Sequence, residues 1–202
     1  MEGDDGISEL DERERAQWRA LGSVVRALGE RVADGGVTAD DVAATVAQLA
    51  QIPIETDRML NAMHVPEDAD EHREALSMIL RRIPDGWGRW LGCDRGWHPI
   101  IVELDAALAR LCPEYEVHQV KEKYGTLRFY AAPCGLHREQ EDEFDALVDA
   151  AEERSAITCE ECGADGRLAE CSRWYKTLCG DCIELEAGRG LGRYVPVEPP
   201  SS

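Results

Sequence analysis

The sequence predicts an α+β protein with an N-terminal helical region, a helix–β-hairpin–helix core and a C-terminal zinc ribbon. Three observations predict this class. Apolar residues recur at helical spacing through the first part of the chain. Two runs of strand-like residues flank Lys123-Tyr124-Gly125, and two Cys-x-x-Cys pairs stand sixteen residues apart near the C-terminus. The predicted boundaries are 1–84, 85–157 and 158–187, followed by a flexible tail over 188–202.

The N-terminal region is predicted to hold three helices. The first covers 8–33, and its apolar seam consists of Trp18, Leu21, Val25, Leu28 and Val32. The second begins after an N-cap at Thr38, ends before Pro53 and turns Val42, Val46 and Leu49 inward. The third follows Pro66 and buries Ala69, Leu76, Ile79, Leu80 and Ile83. We expect the seams to form the core of a small bundle or helical arm, because a dimeric zipper needs three or four heptads.

Segment 85–98 alternates glycines with Trp87, Trp90 and Trp97. Glycines permit tight turns, and indoles supply a large apolar area with a donor at the rim. Such a cluster could line a ligand pocket or a partner groove. The favoured interpretation is that the tryptophans fill the joint between two domains, since buried aromatic side chains mostly serve cores.

The predicted core consists of a helix, a hairpin and a second helix. The first helix starts at Pro99 and buries Ile100, Ile101, Leu104, Leu108 and Leu111. Strands follow over 115–122 and 126–132. Val117, Leu127, Phe129 and Ala131 are expected to face inward, whereas His118, Val120, Glu122, Arg128 and Tyr130 take the other face. An acidic helix over 139–155 carries Phe144, Leu147, Val148 and Ala151 on one side.

The cysteine pairs Cys159/Cys162 and Cys179/Cys182 predict a four-thiolate Zn²⁺ site. Two short strands between them, 167–171 and 174–178, would return the second pair beside the first. Four sulfurs complete the coordination of zinc, so this site is predicted to be structural and not catalytic. Disulfides or unliganded thiols are the alternatives. A second zinc site is conceivable from Cys93, His98, Cys134 and His137, although most buried cysteines only fill space.

Four stretches resemble a group of small bacterial and phage-encoded proteins that have no assigned activity. They are Gly-Trp-His-Pro-Ile-Ile at 96–101, the hairpin string from Val117 to Tyr130, Cys159-x-x-Cys-Gly163, and the run from Trp174 to Cys182. The similar part covers about residues 85 to 185, and the hairpin string is its most specific portion. The resemblance implies a helix–hairpin–helix unit ending in a zinc ribbon. It implies no catalytic residue.

The composition restricts the partners. A formal charge of −19, from 41 acidic and 22 basic residues, repels nucleic-acid backbones and anionic membranes and attracts basic surfaces. The N-terminus lacks a signal-peptide pattern, and no apolar run has membrane-spanning length. We therefore expect a cytoplasmic protein that makes no membrane contact and uses its thiols for metal.

Three functional classes remain open. The preferred hypothesis is a non-enzymatic protein that binds a basic protein partner, as inhibitors, immunity proteins and nucleic-acid mimics do. The candidate contact residues are Trp87, Trp90, Trp97, Tyr124, Arg128 and Tyr130. A nucleic-acid-binding ribbon is disfavoured because residues 159–182 carry five acidic and three basic side chains. An enzyme with a site in segment 85–98 is the third class, although the chain lacks phosphate-loop, Gly-x-Ser-x-Gly and His-Glu-x-x-His motifs.

Overall fold

The computed structural model describes residues 7–33, 35–188 and 193–198, and it confirms the α+β class. Helices and two small three-stranded sheets alternate along these residues. The helices are α1 (Glu12–Ala33), α2 (Ala39–Leu49), α3 (Thr56–Asn61), α4 (Arg73–Arg81), α5 (His98–Leu111), α6 (Arg138–Ser155) and α7 (Gly180–Gly188). Short 3-10 turns precede α4 and α5. Among the described residues, no helix combines the length and apolarity that a membrane crossing requires.

The first sheet contains the predicted hairpin. Its strands are β1 (Leu91–Gly92), β2 (Glu116–Lys123) and β3 (Thr126–Ala132), in the order β1-β2-β3. The turn between β2 and β3 consists of Tyr124 and Gly125, with φ of 56° and 77°. Positive φ at both central residues is the geometry that matches the twist of a two-residue hairpin, so this turn sets the register of the strands.

The β2–β3 register corrects one predicted face. Val117 pairs with Ala131, but Gln119 pairs with Tyr130, so His118 is an extra residue in β2. A bulge of this kind shifts the alternation of the following side chains by one position. Val120 is consequently buried at 1% exposure, whereas strict alternation placed it on the opposite face from Val117.

The main core lies between α4, α5, α6 and the first sheet. The predicted stripes of these elements are confirmed, since Leu76, Ile79, Leu104, Leu108 and Phe144 are all buried. The inward side chains of the hairpin, Leu127 and Phe129, join the same cluster. α6 also covers the open edge of β3. The backbone N–H of Leu127 donates to Ser155 Oγ at 2.8 Å, and that of Phe129 donates to Glu152 Oε1 at 3.2 Å.

The predicted burial of the first two helices is wrong for half of their seams, since Trp18, Leu21, Leu28 and Leu49 are half-buried but the valines are exposed. Val25 and Val32 in α1 are 57% and 53% exposed, and Val42 and Val46 in α2 are 44% and 59% exposed. α1 and α2 pack against each other. A single neighbouring helix covers only part of the apolar seam of α1 or α2, so the residues at the outer edge of each seam remain exposed to solvent. The predicted cap at Thr38 is confirmed, because its Oγ1 accepts from the backbone N–H of Asp41 at 3.2 Å.

The second sheet lies in the C-terminal part of the chain. β4 (Arg167–Cys171) and β5 (Trp174–Leu178) form the predicted antiparallel hairpin. A third strand, β6 (Val195–Pro196), pairs with β4 on its other side. The sequence did not predict β6, since it falls within the tail that was expected to be flexible. Residues 189–192 and 199–202 of that predicted tail lie outside the described residues.

Candidate metal centre

Cys159, Cys162, Cys179 and Cys182 come together at one end of the second sheet. Their four sulfur atoms all lie within 4.8 Å of one another. The Sγ atoms of Cys162 and Cys179 are 3.6 Å apart. A tetrahedral ion with metal–sulfur bonds of about 2.3 Å has sulfur–sulfur edges of about 3.8 Å. The cluster therefore has the size that one such ion requires, and the four cysteines could hold a metal ion.

The local backbone explains why the sulfurs converge. The first pair lies on a tight turn in which the Gly163 N–H donates to the Cys159 carbonyl at 2.8 Å, and Gly163 has a φ of 78° that favours glycine. The second pair follows β5 and enters α7, and the Cys182 N–H donates to Cys179 Sγ at 3.4 Å. The β4–β5 hairpin returns the chain from one turn to the other.

The thiols of the cluster experience opposing influences. Burial raises the pKa of Cys159 and of Cys182. The backbone N–H of Cys182 instead lowers the pKa of Cys179 by stabilising its thiolate. Four thiolates at these separations repel one another, and a divalent cation between them removes that repulsion. The donor set and its spacing thus fit a cation that favours sulfur.

The four-cysteine cluster is attached to the main core by hydrogen bonds to backbone carbonyls. The Gly96 N–H donates to the Glu160 carbonyl at 2.7 Å, and the Trp97 indole N–H donates to the Thr158 carbonyl at 2.8 Å. On the other side, Thr177 Oγ1 donates to the Gly125 carbonyl in the hairpin turn at 2.6 Å. The position of the cysteine turns is therefore set by the first sheet and by the segment before α5.

A charged network beside the cluster was missed by the sequence analysis. Lys176 Nζ donates to Asp94 Oδ2 and to Glu161 Oε1, both at 2.7 Å. Although burial opposes the charge of Lys176, the Asp94 carboxylate raises its pKa above the ordinary value. Burial, with the charge of Asp94 next in importance, raises the pKa of Glu160 to about 8. In the sequence, Lys176 is distinguished only as one of three lysines, and this does not indicate that it contacts Asp94 and Glu161.

The aromatic candidates for partner contact separate into buried and exposed groups. Trp97 is 0% exposed, so its assignment as a contact residue is wrong, and its role is the joint between core and cluster. Trp90 packs with Trp18 and His64, at ring-centroid distances of 5.3 and 5.6 Å, beside a cavity of about 250 Å³. Gly88 accommodates this ring, because a Cβ there would lie 2.2 Å from it.

The remaining candidates lie at the surface or near it. Trp87 and Tyr124 are 57% and 69% exposed, and Trp87 stacks on His118 at 4.7 Å. Tyr130 is 41% exposed, with Lys121 Nζ 5.6 Å from its ring centroid. Arg128 is half-buried and forms an ion pair with Glu152 at 3.0 Å. These four side chains are thus accessible to different degrees, and Arg128 already has a partner within the protein.

The residues considered for a second metal site are not gathered into one. Cys134 contacts Cys112, and His137 caps the start of α6 together with Gln140. His98 is buried, and its Nε2 has no hydrogen-bond partner among the described residues. Over the described ranges, only the four-cysteine cluster groups three or more such side chains at ligand distance.

Comparison with known proteins assigns neither a family nor a function to this chain. Neither the models of known protein families, nor the curated proteins, nor the solved structures contain a match to this chain.

Proposed function

We propose that the C-terminal module, residues 158–187, is a zinc ribbon and that its metal is structural. The support is the set of four thiolate donors with the separation of a tetrahedral site. Soft thiolate ligands favour Zn²⁺ over the oxygen-seeking Mg²⁺ and Ca²⁺. Four protein ligands would leave no coordination position for substrate, so Cys159, Cys162, Cys179 and Cys182 would hold the ion and stabilise the fold.

Metal analysis of the purified full chain tests the zinc assignment. We expect one zinc per chain, lost together with thiolate–metal absorption when a chelator is added. Iron in place of zinc, or all eight thiols reacting at once in the native protein, would contradict a structural zinc site. Cys171→Ser is the matched control. Cys171 lies between the two pairs but outside the cluster, and this variant should keep the metal.

We propose further that the protein is not an enzyme and acts by binding a basic protein. The observation that carries this is the outer face of α6. Seven carboxylates on it are exposed. The ion pairs that α6 makes with other described residues use Glu152 and Arg154 instead. The seven exposed carboxylates are those of Glu139, Glu141, Asp142, Glu143, Asp145, Asp149 and Glu153. An array of this kind attracts a basic surface and accelerates its association.

The N-terminal acidic block supports the same proposal less strongly. Residues 1–72 hold 17 acidic and 6 basic side chains. Several of these acids are neutralised locally, because Glu14 pairs with Arg58, Asp41 with Arg31 and Glu67 with Arg19. The acids of this region are spread over several elements, whereas the exposed carboxylates of α6 share one helix, and that helix is the better candidate for the contact. Exposed Tyr124, Tyr130 and Trp87 are the aromatic candidates for anchoring.

The test compares two variants with equal net charge. One carries amides in place of Asp142, Glu143, Asp145 and Asp149 on α6. The other carries amides in place of Glu12, Asp40, Glu55 and Asp57, four exposed acids of the N-terminal region. A basic protein captured by the parent and by the N-terminal variant, but lost with the α6 variant, identifies the partner. With that partner purified, its association should slow as salt rises, because salt screens exposed charges beyond about 8–10 Å.

Three results would contradict this proposal. An association rate that does not depend on salt would remove the electrostatic mechanism. Equal loss of binding in both variants would show that net charge, and not the α6 face, matters. Nucleic acid retained by the parent in place of a basic protein would favour the nucleic-acid-binding class.

A further inference from the structure

We propose that Cys112 and Cys134 form a site of reversible covalent modification, at which a hydroperoxide oxidises the two thiols to a disulfide. Their Sγ atoms are 2.9 Å apart. A disulfide bond is about 2.05 Å long, so closing it requires an approach of less than about 1 Å. This pair lies outside the metal cluster and outside the acidic face of α6, and it is independent of both proposals above.

Backbone hydrogen bonds align the two thiols. Cys112 Sγ donates to the Cys134 carbonyl at 3.2 Å, and it accepts from the Cys134 N–H, also at 3.2 Å. These contacts place the sulfur of Cys112 against the backbone of Cys134 as well as against its side chain. The proximity therefore follows from how two chain segments pack, and not from the rotation of one side chain.

The two segments differ in structure. Cys112 terminates α5, where its N–H donates to the Leu108 carbonyl at 2.9 Å, and its side chain belongs to the main core. Cys134 lies in the bend between β3 and α6, next to Gly135, which has a φ of 63°. The small movement needed for bond formation can be made in this bend while the end of α5 stays in place.

Exposure determines which sulfur meets the oxidant. Cys112 is only 3% exposed, whereas Cys134 is exposed. A peroxide therefore reaches Cys134 first, and Cys112 is positioned to resolve the product. The hydrogen bond with Cys112 raises the pKa of the Cys134 thiol. Less of it is thiolate at neutral pH, so the site should react more slowly than cysteines with lowered pKa values.

The reaction balances with one peroxide for each pair of thiols. The Cys134 sulfur attacks a peroxide oxygen, the O–O bond breaks, and Cys134 becomes a sulfenic acid as one water (or alcohol) leaves. The Cys112 sulfur then attacks the Cys134 sulfur, the S–O bond breaks, and a second water leaves. Two electrons pass from the thiols to the peroxide. A dithiol such as dithiothreitol reverses the change by thiol–disulfide exchange.

Oxidation would join the C-terminal end of α5 to the bend after β3. The chain between the two cysteines contains the whole β2–β3 hairpin. Closing a loop of this length restricts the unfolded chain, which should raise the melting temperature by about 5 °C or more. The modification thus links the stability of the hairpin to the redox state of its surroundings.

The experiment treats the full chain, as purified and without added chelator, with hydrogen peroxide. Remaining thiols are alkylated and the protein is digested with trypsin without reduction. Cleavage after Arg110, Lys121, Arg128 and Arg138 places Cys112 and Cys134 on separate peptides, 111–121 and 129–138. We expect these peptides to be linked, with a rise in melting temperature that dithiothreitol abolishes. A chromogenic chelator monitors release of metal in parallel.

Two variants make the result specific. Cys134→Ser changes an exposed residue and should prevent both the link and the thermal shift. Cys93→Ser removes another free cysteine, one that lies outside this pair, and should leave both unchanged. The proposal is overturned if Cys134 is found linked to a different cysteine. It is equally overturned if the four metal-cluster cysteines oxidise while Cys112 and Cys134 remain alkylated, or if Cys134 stops at the sulfenic acid.

Discussion

At the scale of single residues, Gly96 marks a close approach between the main core and the cysteine turns. A Cβ on Gly96 would lie 2.2 Å from the Cys159 carbonyl oxygen and 2.5 Å from the Glu160 carbonyl oxygen. Both atoms belong to the backbone, so they cannot move aside as the end of a flexible side chain could. Only glycine fits this position without displacing the turn that carries Cys159.

We expect Gly96→Ala to destabilise the protein by about 1–3 kcal/mol, the usual cost of forcing extra atoms into a packed site. It should also weaken metal binding, because the Cys159 turn must shift. Urea unfolding and competition with a chelator measure the two effects. Gly180→Ala is the control, since Gly180 lies between two cluster cysteines but a Cβ on it would meet no other atom within 4 Å. Equal behaviour of the two variants would contradict this prediction.

Glu14 and Arg58 illustrate how one ion pair gives a pH dependence. Arg58 Nε and Nη2 donate to the two Glu14 carboxylate oxygens at 2.8 and 2.9 Å. The hydrogen bond from Arg58 lowers the pKa of Glu14 from 4.5 to about 2. Because the pKa is lower in the folded state, the unfolded chain binds the proton more tightly. The stabilisation is present above pH 4.5 and is lost as the pH falls towards 2.

Glu14→Gln should therefore lower the free energy of unfolding by about 2 kcal/mol at pH 7, allowing for partial exposure of the pair. The difference from the parent should shrink as the pH falls below 4.5 and be nearly gone at pH 2. Urea unfolding at a series of pH values measures it. Glu12→Gln, in the same first turn of α1, is the control. A destabilisation that stays constant from neutral to acidic pH would exclude the ion pair as its cause.

At the scale of elements, α6 protects the edge of the first sheet. β3 is the last strand of the β1-β2-β3 order, and unpaired strand edges promote aggregation. Ser155 Oγ and Glu152 Oε1 accept from the outward backbone N–H groups of Leu127 and Phe129. The same helix packs Phe144 into the core and presents its carboxylates to solvent. The amphipathic helix α6 thereby caps the edge of the sheet with side-chain hydrogen bonds and also forms the proposed contact face.

Phe129→Ala tests the packing of β3 against the main core. Phe129 is 2% exposed, and removing its ring should cost about 3–5 kcal/mol through lost burial and the remaining cavity. Tyr130→Ala is the matched control, because Tyr130 is the next residue, points to the other face and is 41% exposed. Thermal and urea unfolding should separate the two variants clearly. A Phe129→Ala protein that is as stable as Tyr130→Ala would mean that this face is wrongly assigned.

At the scale of the whole molecule, the main core and the C-terminal module have separate hydrophobic clusters. We therefore expect loss of the metal to destabilise the C-terminal module more than the main core. The main core contains α4, α5 and the first sheet, whereas the second cluster surrounds Cys159, Leu178 and Ile183. The second cluster is small, and its folding should depend on the metal because thiolate ligation is coupled to folding. The main core buries many more apolar side chains, so we expect it to remain folded without the metal.

We expect Cys162→Ser to unfold the C-terminal module and to leave the helices of the N-terminal region and main core formed. Hydrogen exchange followed by mass spectrometry measures this. Amides of β4, β5 and α7 should lose protection, while those of α4 and α5 keep it. Chelation of the parent protein should give the same pattern. Loss of protection in α5 to the same extent would show that the two clusters fold as one unit.

Local signals determined much of this protein from the sequence alone. The cap at Thr38, the stripe of α5 and the hairpin joined across residues 123–125 depend on neighbours within a few positions, and these predictions were confirmed. The structure shortens the predicted connection by one residue, because β2 continues through Lys123 and the turn consists of Tyr124 and Gly125. The convergence of four cysteines was also predictable, since two Cys-x-x-Cys turns joined by a short hairpin can hardly end far apart. These features depend on the spacing of residues along the chain, which can be read from the sequence directly.

Burial and long-range contact were decided only by the tertiary structure. Val25 and Val46 have the same apolar chemistry as core residues but face solvent, because no third element covers their side of the α1–α2 pair among the described residues. Trp87 and Trp97 are equivalent in pattern, yet one is exposed and the other is fully buried. The contact between Cys112 and Cys134 joins the end of a helix to a bend beyond two strands. The exposure of these valines and tryptophans and the contact between the two cysteines all depend on which segments pack together. The periodicity of residues within one segment does not identify the segment that packs against it.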